Sequence, residues 1–552
     1  MVQKTCVWLV AALIVAARAE ATDYYVNLAG SDLNQGTSPT APWQTLARVN
    51  QHALRAGDRV YLAGNQIFSG TLAFDSADIG GAVSPIFVSS YGTGRATIAA
   101  GPSTGVWAYN TAGITISNLN VVGAGRTSNT GAGVEFYADL PGNVKLASVR
   151  IDHVDVSGFG RDGIVIGSWN GATGFRDVVV RDVVAHDNAL AGIITYAAEP
   201  NAHHNVYVGH SSAYGNPGVA GLSTNSGNGI VLGNVNGGTI ERSVSHHNGW
   251  LNTAVGGPVG IWTYDSTGVT IQFNESYANR TASSADGGGF DLDQNVSNSV
   301  VQYNYSHDND GAGYLLAQGP ATDAHWGNVV RYNISQNDGR ANSYGGLHVW
   351  GRVRQAEIYN NTVWVSAASR ANPRGAIVSS ESVPRSTVAS VHFRNNILVS
   401  SGAVPFVDVD GPQASSSDLL FQGNIYFGAT GDWSLMWAGA SYASLAAWRS
   451  VANQEHVNGA PVGSALNPLL THAGAGPTLG DATRLETLVA YRLQAGSPAI
   501  DTALDLAAFG ISRGARDFWG MTVPQGNAAD VGAGEGLGHG PPGAPTGLRI
   551  VR

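Results

Sequence analysis

Residues 288–293, GGFDLD, follow the same pattern as residues 259–264, VGIWTY, and residues 228–233, NGIVLG. Each stretch has glycine at its second position, followed by a short run in which hydrophobic residues occupy alternate places. Related stretches begin at residues 162, 191, 312 and 345, and the successive glycines are 29, 37, 31, 29, 24 and 33 residues apart. A period of 20 to 50 residues is typical of solenoid proteins.

Short β runs between Gly and Asn turns, without a helical pattern, predict an all-β fold. We expect a right-handed parallel β-helix with one coil per repeat, whose strands stack about 4.8 Å apart. Asparagines recur at about one-coil spacing and predict two structural ladders at the turns. The first ladder is Asn274, Asn304, Asn333 and Asn360, and the second is Asn248, Asn279, Asn309 and Asn337.

The chain ends differ from the repeats. Residues 1–21 combine Lys4, an apolar run and small residues, which predicts a signal peptide and a secreted or periplasmic protein. Residues 22–75 are expected to form an N-terminal cap with a short helix around Leu46. Coils then fill residues 76–400, C-terminal coils and a cap with a helix in 441–454 fill residues 401–535, and residues 536–552 are a Gly/Pro-rich tail.

Composition limits the partners. The net charge is −10 and only 12% of residues are charged, so nucleic acid and an anionic membrane are unlikely partners. Cys6, the only cysteine, lies in the predicted signal peptide, which leaves the mature chain without a disulfide. The histidines beside the turns lack the spacing of zinc ligands. We expect a monomer that acts on a polysaccharide and requires no cofactor, with calcium as the one ion to consider.

Both ends of the mature chain resemble secreted bacterial β-helix carbohydrate-active proteins of the pectate-lyase-like superfamily. The N-terminal resemblance lies in YYVNLAGSDLNQGTSP (24–39), PWQTLARVN (42–50) and GDRVYLAG (57–64). The C-terminal one lies in YRLQAGSPAIDTA (491–503), RDFWG (516–520) and ADVGAGE (529–535). With the coils, the resemblance covers nearly the whole mature chain. The resemblance implies the β-helix fold. It leaves the reaction open, because that superfamily includes lyases, hydrolases, esterases, epimerases and binding proteins.

Residues 283–318 also resemble the active coil of the family-nine pectate lyases. In that family an Asp precedes a Gly-Phe strand that ends in a catalytic Lys, and a later Asp-rich turn helps to hold calcium. Asp286 and Asp310 match the acidic positions, but Asp293 stands where the Lys would be. The predicted mature chain has one lysine, Lys145, far upstream. The sequence therefore disfavours a lysine-based elimination and leaves an arginine base open.

Strand alternation predicts where the acids point. If Phe290 and Leu292 face the core, Asp291 and Asp293 face outward together, about 6.6 Å apart at Cα. Inverting glycosidases separate their carboxyl groups by about 6.5–9.5 Å and retaining ones by about 5–5.5 Å, so this spacing favours inversion. We expect one of the two to be the general acid. The other, or Asp286, would activate water.

Aromatic residues are predicted to share this outward face and to line a glycan groove. His348 is expected to orient a carboxylate or to bind the substrate. The predicted substrate-binding residues are Tyr196, Trp262, Tyr264, Trp350 and Arg352. The preferred function is therefore a polysaccharide-degrading, endo-acting glycoside hydrolase.

Two other functions fit the same residues. One is a calcium-dependent polysaccharide lyase with Arg331, Arg340 or Arg352 as base. Its acidic calcium ligands would come from Asp286, Asp291, Asp293, Asp308 and Asp310. The other is a glycan-binding β-helix protein without catalysis, in which the acids lie on a solvated strand face.

Overall fold

The computed structural model describes residues 21–320, 322–381 and 386–536 of the 552-residue chain. It confirms the predicted right-handed parallel β-helix, which has about 13 turns. Most of the predicted signal peptide, residues 1–20 with Cys6, and most of the predicted tail, residues 537–552, lie outside the described residues. In the described part, no helix is both long enough and apolar enough to span a membrane.

One sheet of the β-helix carries the acidic stretch, and we call it the front sheet. In the described residues it has 14 strands, which are parallel except for the last pair. They are Leu72–Phe74, Val106–Tyr109, Val134–Ala138, Ile164–Ser168, Ala191–Tyr196, Asn228–Gly233, Val259–Tyr264, Gly288–Leu292, Tyr314–Gln318, Gly345–Gly351, Arg374–Ser379, Val407–Val409, Leu435–Trp437 and Ala440–Tyr442.

The remaining strands of the coils form a second sheet, which we call the back sheet. It has 25 strands among the described residues. They are Asp23–Val26, Arg59–Ala63, Ile67–Ser69, Ile86–Tyr91, Ala96–Gly101, Ile114–Gly123, Lys145–Ser157, Gly174–Arg181, Val184–His186, His203–Gly209, Ser212–Tyr214, Val235–Glu241, Val244–His246, Thr267–Gln272, Glu275–Tyr277, Val300–Gln302, Tyr305–His307, Val329–Arg331, Ile334–Gln336, Arg354–Tyr359, Thr362–Ser366, Ala389–Arg394, Ile397–Ser401, Leu419–Gln422 and Ile425–Gly428. A separate ribbon pairs His456–Val457 with Ala460–Pro461.

The repeated glycine has a steric cause. It lies near the start of the front-sheet strand, against a side chain of the second back-sheet strand that follows. A Cβ on Gly260 would lie 2.1 Å from Ser276 Oγ, and one on Gly289 would lie 2.2 Å from Ser306 Oγ. Both distances are far shorter than van der Waals contact. A larger residue would force the coil apart, which explains why glycine recurs at this place.

The predicted asparagine ladders are present with one correction in each. In the first, the backbone N–H of Asn274 donates to Asn304 Oδ1 at 2.9 Å, and that of Asn304 donates to Asn333 Oδ1 at 3.0 Å. The next member is Asn361 rather than Asn360, whose amide instead donates to carbonyls of the C-terminal segment.

The second ladder runs through Asn248, Asn279 and Asn309. Its next member is Asp338, which accepts from the Asn309 backbone and side chain, so the prediction of Asn337 is wrong. In both cases the predicted residue has a left-handed backbone, with φ of 52° at Asn360 and 54° at Asn337, and precedes the true ladder position. The sequence alone does not show which of two adjacent residues takes the left-handed conformation.

The ends close the solenoid. The short helix around Leu46 and the helix in 441–454 are confirmed as Leu46–Asn50 and Leu445–Ala452. The strand Asp23–Val26 already pairs with Arg59–Ala63, so residues 22–75 also contribute strands to the coils. The described residues contain four other short helices, Gly411–Ala414, Ala482–Thr487, Val489–Tyr491 and Leu506–Phe509.

Candidate active site

The strand Gly288–Leu292 places its hydrophobic residues inward, as predicted. Phe290 and Leu292 belong to the main core and are 1% and 0% exposed. Asp291 therefore points to the other side of the strand, between Trp262 on the preceding coil and Leu315 on the following one. It is only 4% exposed, and its Oδ1 has no hydrogen-bond partner.

Apolar side chains surround the Asp291 carboxyl. On one side, Trp262 packs in a small cluster with Val231 and Val259. On the other side, Leu315 packs with Ala317, and the Tyr344 and Trp350 rings lie against that second cluster. Burial, and then the charges of Asp293 and Asp286, raise the pKa of Asp291 well above its usual value. Burial among apolar side chains therefore favours the neutral form of the Asp291 carboxyl.

Asp293 follows the strand and keeps part of its side chain exposed. Its backbone N–H donates to the carbonyl of Thr263 on the preceding coil at 3.0 Å. Burial is the main cause that raises the pKa of Asp293 to about 7, and the charges of Asp286 and Asp265 add to it. Asp293 therefore exchanges a proton near neutral pH and is partly exposed, the two properties that a general acid needs.

Asp286 lies in the turn before the strand and is held by two donors. Its Oδ2 accepts from the Gly257 backbone N–H at 2.8 Å, and its Oδ1 accepts from the Tyr344 hydroxyl at 3.1 Å. Burial raises the pKa of Asp286, but both hydrogen bonds favour its charged form. The three acids thus differ in environment, and Asp286 is the one best stabilised as a carboxylate.

His348 lies two strands beyond Asp291, with Leu315 between them. Its Nε2 is 3.0 Å from Ser379 Oγ, and its Nδ1 is buried without a partner. Burial lowers the pKa of His348 to about 3, so the ring is neutral. The His348 ring packs 5.0 Å from that of Tyr344, which in turn holds Asp286, and its role in orienting a carboxylate or binding the substrate stays a prediction.

The predicted aromatic residues share the outward face, but Trp262 is not an open platform. It is 5% exposed, its Nε1 donates to Asn228 Oδ1 at 3.0 Å, and its ring lies 5.2 Å from that of Tyr264. Tyr196 and Tyr264 each lean over a glycine of the preceding coil, Gly167 and Gly233 respectively. Trp262 therefore forms the apolar wall beside Asp291.

Arg352 and Trp350 lie at the far end of the site. Trp350 is half-buried against Leu315 and Ala317. Arg352 forms an ion pair with Asp323 at 2.9 Å and donates to the Pro320 carbonyl at 3.1 Å. The predicted binding of substrate by Arg352 would therefore require its guanidinium group to leave these partners.

The structure does not assemble the predicted calcium cage. Asp310 instead pairs with Arg280 at 3.2 Å, and Asp308 contacts His307 at 2.9 Å. Within residues 21–320, 322–381 and 386–536, no group of three or more His, Cys, Asp or Glu side chains is arranged to hold a metal ion. The acids of this turn thus point to different neighbours.

The candidate arginine bases are also engaged elsewhere. Arg331 is on the back sheet, where it donates to Gln302 and Tyr359. Arg340 donates to the Ser366 carbonyl. With Arg352 tied to Asp323, all three guanidinium groups have partners away from the acids.

Three contributors were missed by the sequence analysis. Tyr344 and the backbone of Gly257 position Asp286, and Asn228 holds Trp262. Tyr344 lies two coils from Asp286, and Asn228 lies one coil from Trp262, at places where Tyr and Asn are ordinary. The coil period is the signal that aligns these places, but it does not show which way their side chains point.

A neutral substitution at Asp291 should stabilise the protein at high pH. The pKa of Asp291 is higher in the folded protein than in the unfolded chain, where it is about 3.9. The free energy of unfolding therefore falls as the pH rises above that value. We expect Asp291→Asn to have a higher Tm than the parent at pH 8, with a smaller difference at pH 4.5. Asp177→Asn, which removes a half-exposed carboxyl paired with Arg176, is the control. Equal Tm differences for Asp291→Asn at both pH values would contradict a costly buried carboxyl.

Comparisons with known proteins agree with this architecture. Residues 220–363 match the family model described as "Right handed beta helix region". A lacto-N-biosidase from Bifidobacterium longum subsp. longum is 26% identical over 508 residues, which cover 73% of this chain and 30% of that enzyme. The chain thus matches less than a third of the length of this curated relative.

The same fold occurs among solved structures. A GH136 lacto-N-biosidase from Eubacterium ramulus superposes with a TM-score of 0.50 and 17% identity over 73% of this chain and 67% of that chain. A pectate lyase, Pel9A, gives a TM-score of 0.44 and 17% identity over 94% and 97% of the two chains. This chain is therefore a right-handed parallel β-helix similar in fold to a lacto-N-biosidase.

Proposed function

We propose that this chain is a glycoside hydrolase with Asp293 as the general acid and Asp286 as the second catalytic carboxylate. The observation that carries the proposal is the graded environment of three neighbouring acids on one strand and the segments that flank it. Asp286 has two hydrogen-bond donors, Asp293 has a pKa of about 7, and Asp291 is buried without a partner for its Oδ1. The similarity to a lacto-N-biosidase supports the same class of reaction.

Each acid has a role that follows from its surroundings. Asp293, partly exposed and protonated in part at neutral pH, donates a proton to the glycosidic oxygen as the bond breaks. Asp286 acts on the anomeric carbon, either through an activated water or directly, because the hydrogen bonds that it accepts from Gly257 and Tyr344 favour its charged form. Asp291 is buried and its pKa is raised, which favours its neutral form and limits the negative charge beside the other two acids.

Pairing Asp293 with Asp286 instead of Asp291 removes the basis for predicting the stereochemistry. The predicted inversion was based on the spacing of Asp291 and Asp293 along one strand. It does not extend to Asp286 and Asp293, which lie seven positions apart in sequence and on different segments. Inversion, like internal cleavage of a chain, stays a prediction, and ¹H NMR of the first-formed anomer tests it.

A substrate screen tests the proposed reaction. The relative's name makes lacto-N-tetraose and p-nitrophenyl lacto-N-bioside the first compounds to assay, followed by a panel of plant and algal polysaccharides. We expect new reducing ends without the ultraviolet absorbance of an unsaturated uronate. We also expect kcat to fall as pH rises through about 7, because Asp293 loses its proton. Products that absorb as unsaturated uronates would contradict hydrolysis.

Tyr344 is a positioning residue for Asp286, and its hydroxyl is expected to matter for pH dependence. Tyr344→Phe removes a donor to the Asp286 carboxylate and leaves the ring against His348. We expect kcat to fall about 10-fold and the acidic limb of the pH profile to move to higher pH, because Asp286 then ionises less readily. Tyr314→Phe, whose hydroxyl bonds only to backbone carbonyls in the core, is the control. An unchanged acidic limb in Tyr344→Phe would contradict this role.

A further inference from the structure

Aromatic rings also gather on the front sheet several coils before the acids. Trp107 and Tyr109 share one strand, and Tyr137 lies on the next strand. Their ring centroids are 5.9–6.4 Å apart, and the rings are within 18° of parallel. A fourth ring, Trp169, lies at the end of the following strand and meets Tyr196 at 6.4 Å. We call Trp107, Tyr109, Tyr137 and Trp169 the upstream aromatic patch.

The upstream aromatic patch is exposed to solvent and is not part of the hydrophobic core. Trp169 is 63% exposed and Tyr109 is 36% exposed, while Trp107 and Tyr137 are partly exposed. Among the described residues, none of the four rings belongs to a buried hydrophobic cluster. The patch therefore covers the outside of the sheet and leaves apolar ring surface free for a ligand.

The patch lies on the same face of the front sheet as the proposed active site. Trp107 and Glu135 belong to the outward row that also contains Trp262 and Asp291. Tyr137 lies in the adjacent row, which passes Tyr196 and leads toward Asp293. Five coil steps separate Tyr137 from Asp293, about 24 Å at about 4.8 Å per step. A ligand that reached both places would lie along the axis of the β-helix.

Polar groups stand beside these rings. The Tyr109 hydroxyl donates to both carboxylate oxygens of Asp139, at 2.9 and 2.8 Å. Arg161 pairs with the buried Glu135 at 3.2 Å, and its side chain stays 39% exposed. Exposed aromatic surface with a few fixed polar groups is the chemistry that recognises sugar rings, whose faces are apolar and whose edges carry hydroxyls.

We propose that the upstream aromatic patch is a remote glycan-binding site, which holds the part of a long substrate chain that extends from the acids toward the N-terminal coils. The proposal rests on the proposed function, because it takes the occupant to be the substrate glycan. It adds that the substrate is a chain long enough to span about five coils. Short substrates bind at the acids alone.

Binding and turnover test this separately. Native affinity electrophoresis would use gels that contain xyloglucan, galactomannan, arabinoxylan or gastric mucin, with the Asp293→Asn protein to prevent cleavage. We expect retardation in at least one gel, and a dissociation constant about 3–10-fold higher after Trp169→Ala or Tyr137→Ala. Trp326→Ala, which removes a 42% exposed ring associated with the back sheet, is the matched control and should bind as the parent does.

Turnover distinguishes the failure of this inference from the failure of the proposed function. In the active protein, Trp169→Ala should raise KM for the retained polymer and leave kcat/KM for p-nitrophenyl lacto-N-bioside or another short substrate unchanged. No retardation in any gel, or equal retardation of Trp169→Ala and the parent, would overturn the remote site. Retardation that depends on Trp169, with no hydrolysis of any compound, would support the site and contradict the proposed function.

Discussion

Asp293→Asn is expected to lower kcat by about 10³-fold or more, because the carboxamide cannot donate the proton that the leaving sugar requires. The side chain keeps its shape, and its backbone bond to Thr263 does not depend on the carboxyl. KM for a short substrate should change little. The measurement is kcat and KM at pH 6, where the parent Asp293 is mostly protonated, since its pKa is about 7.

Two comparisons make this result specific to the acid. Asp177→Asn, which changes a half-exposed carboxyl in a surface ion pair with Arg176, should keep full activity. Substrates with an activated leaving group, such as p-nitrophenyl glycosides, need less help from an acid, so Asp293→Asn should lose less activity on them. If Asp293→Asn lost equal activity on activated and natural substrates, Asp293 would not be the general acid.

Glu275→Ala is expected to release the C-terminal segment from the back sheet. Glu275 is fully buried, and its two carboxylate oxygens accept from the backbone N–H groups of Leu479 and Gly480, each at 2.7 Å. His307 Nε2 lies 3.2 Å from the same carboxylate. Removing one partner of a buried charged pair costs about 3–5 kcal/mol, because it leaves the other groups unsatisfied.

Hydrogen exchange locates this loss. In Glu275→Ala, amides in residues 470–495 should exchange faster, while those of the front-sheet strands should keep their protection. Glu241→Ala is the control, since that partly exposed carboxylate accepts from the side chains of Tyr207 and Gln272 on the same sheet. A uniform rise in exchange across the chain would show that Glu275 supports the coils and does not act as a local clamp.

The sequence predicted the repeat well because the repeat has simple physical causes. A glycine pressed against Ser276 or Ser306 cannot be replaced, and hydrophobic residues must alternate where one side of a strand faces the core. The inward direction of Phe290 and Leu292, and hence the outward direction of Asp291, follow from these rules. These two rules therefore allowed the solenoid fold, and the strand face on which Asp291 lies, to be predicted from the sequence.

The environment of each acid was harder to predict. The alternation rule treats Asp291 and Asp293 as equivalent, yet Asp291 lies buried beside Trp262, whereas Asp293 stands past the end of the strand and is partly exposed. The support of Asp286 by Tyr344 crosses two coils and depends on how a turn is shaped. Turn geometry also sets the partner of Asp310, which turns toward Arg280.

A crystal structure of the Asp293→Asn variant with an uncleaved oligosaccharide would decide whether residues 286 and 293 flank the scissile bond. We expect the glycosidic oxygen to lie within hydrogen-bond distance of the side-chain amide at position 293, with the Asp286 carboxylate beside the anomeric carbon. Glycan bound away from the front sheet, or bound there with the scissile bond out of reach of both residues, would contradict the assignment of these two acids.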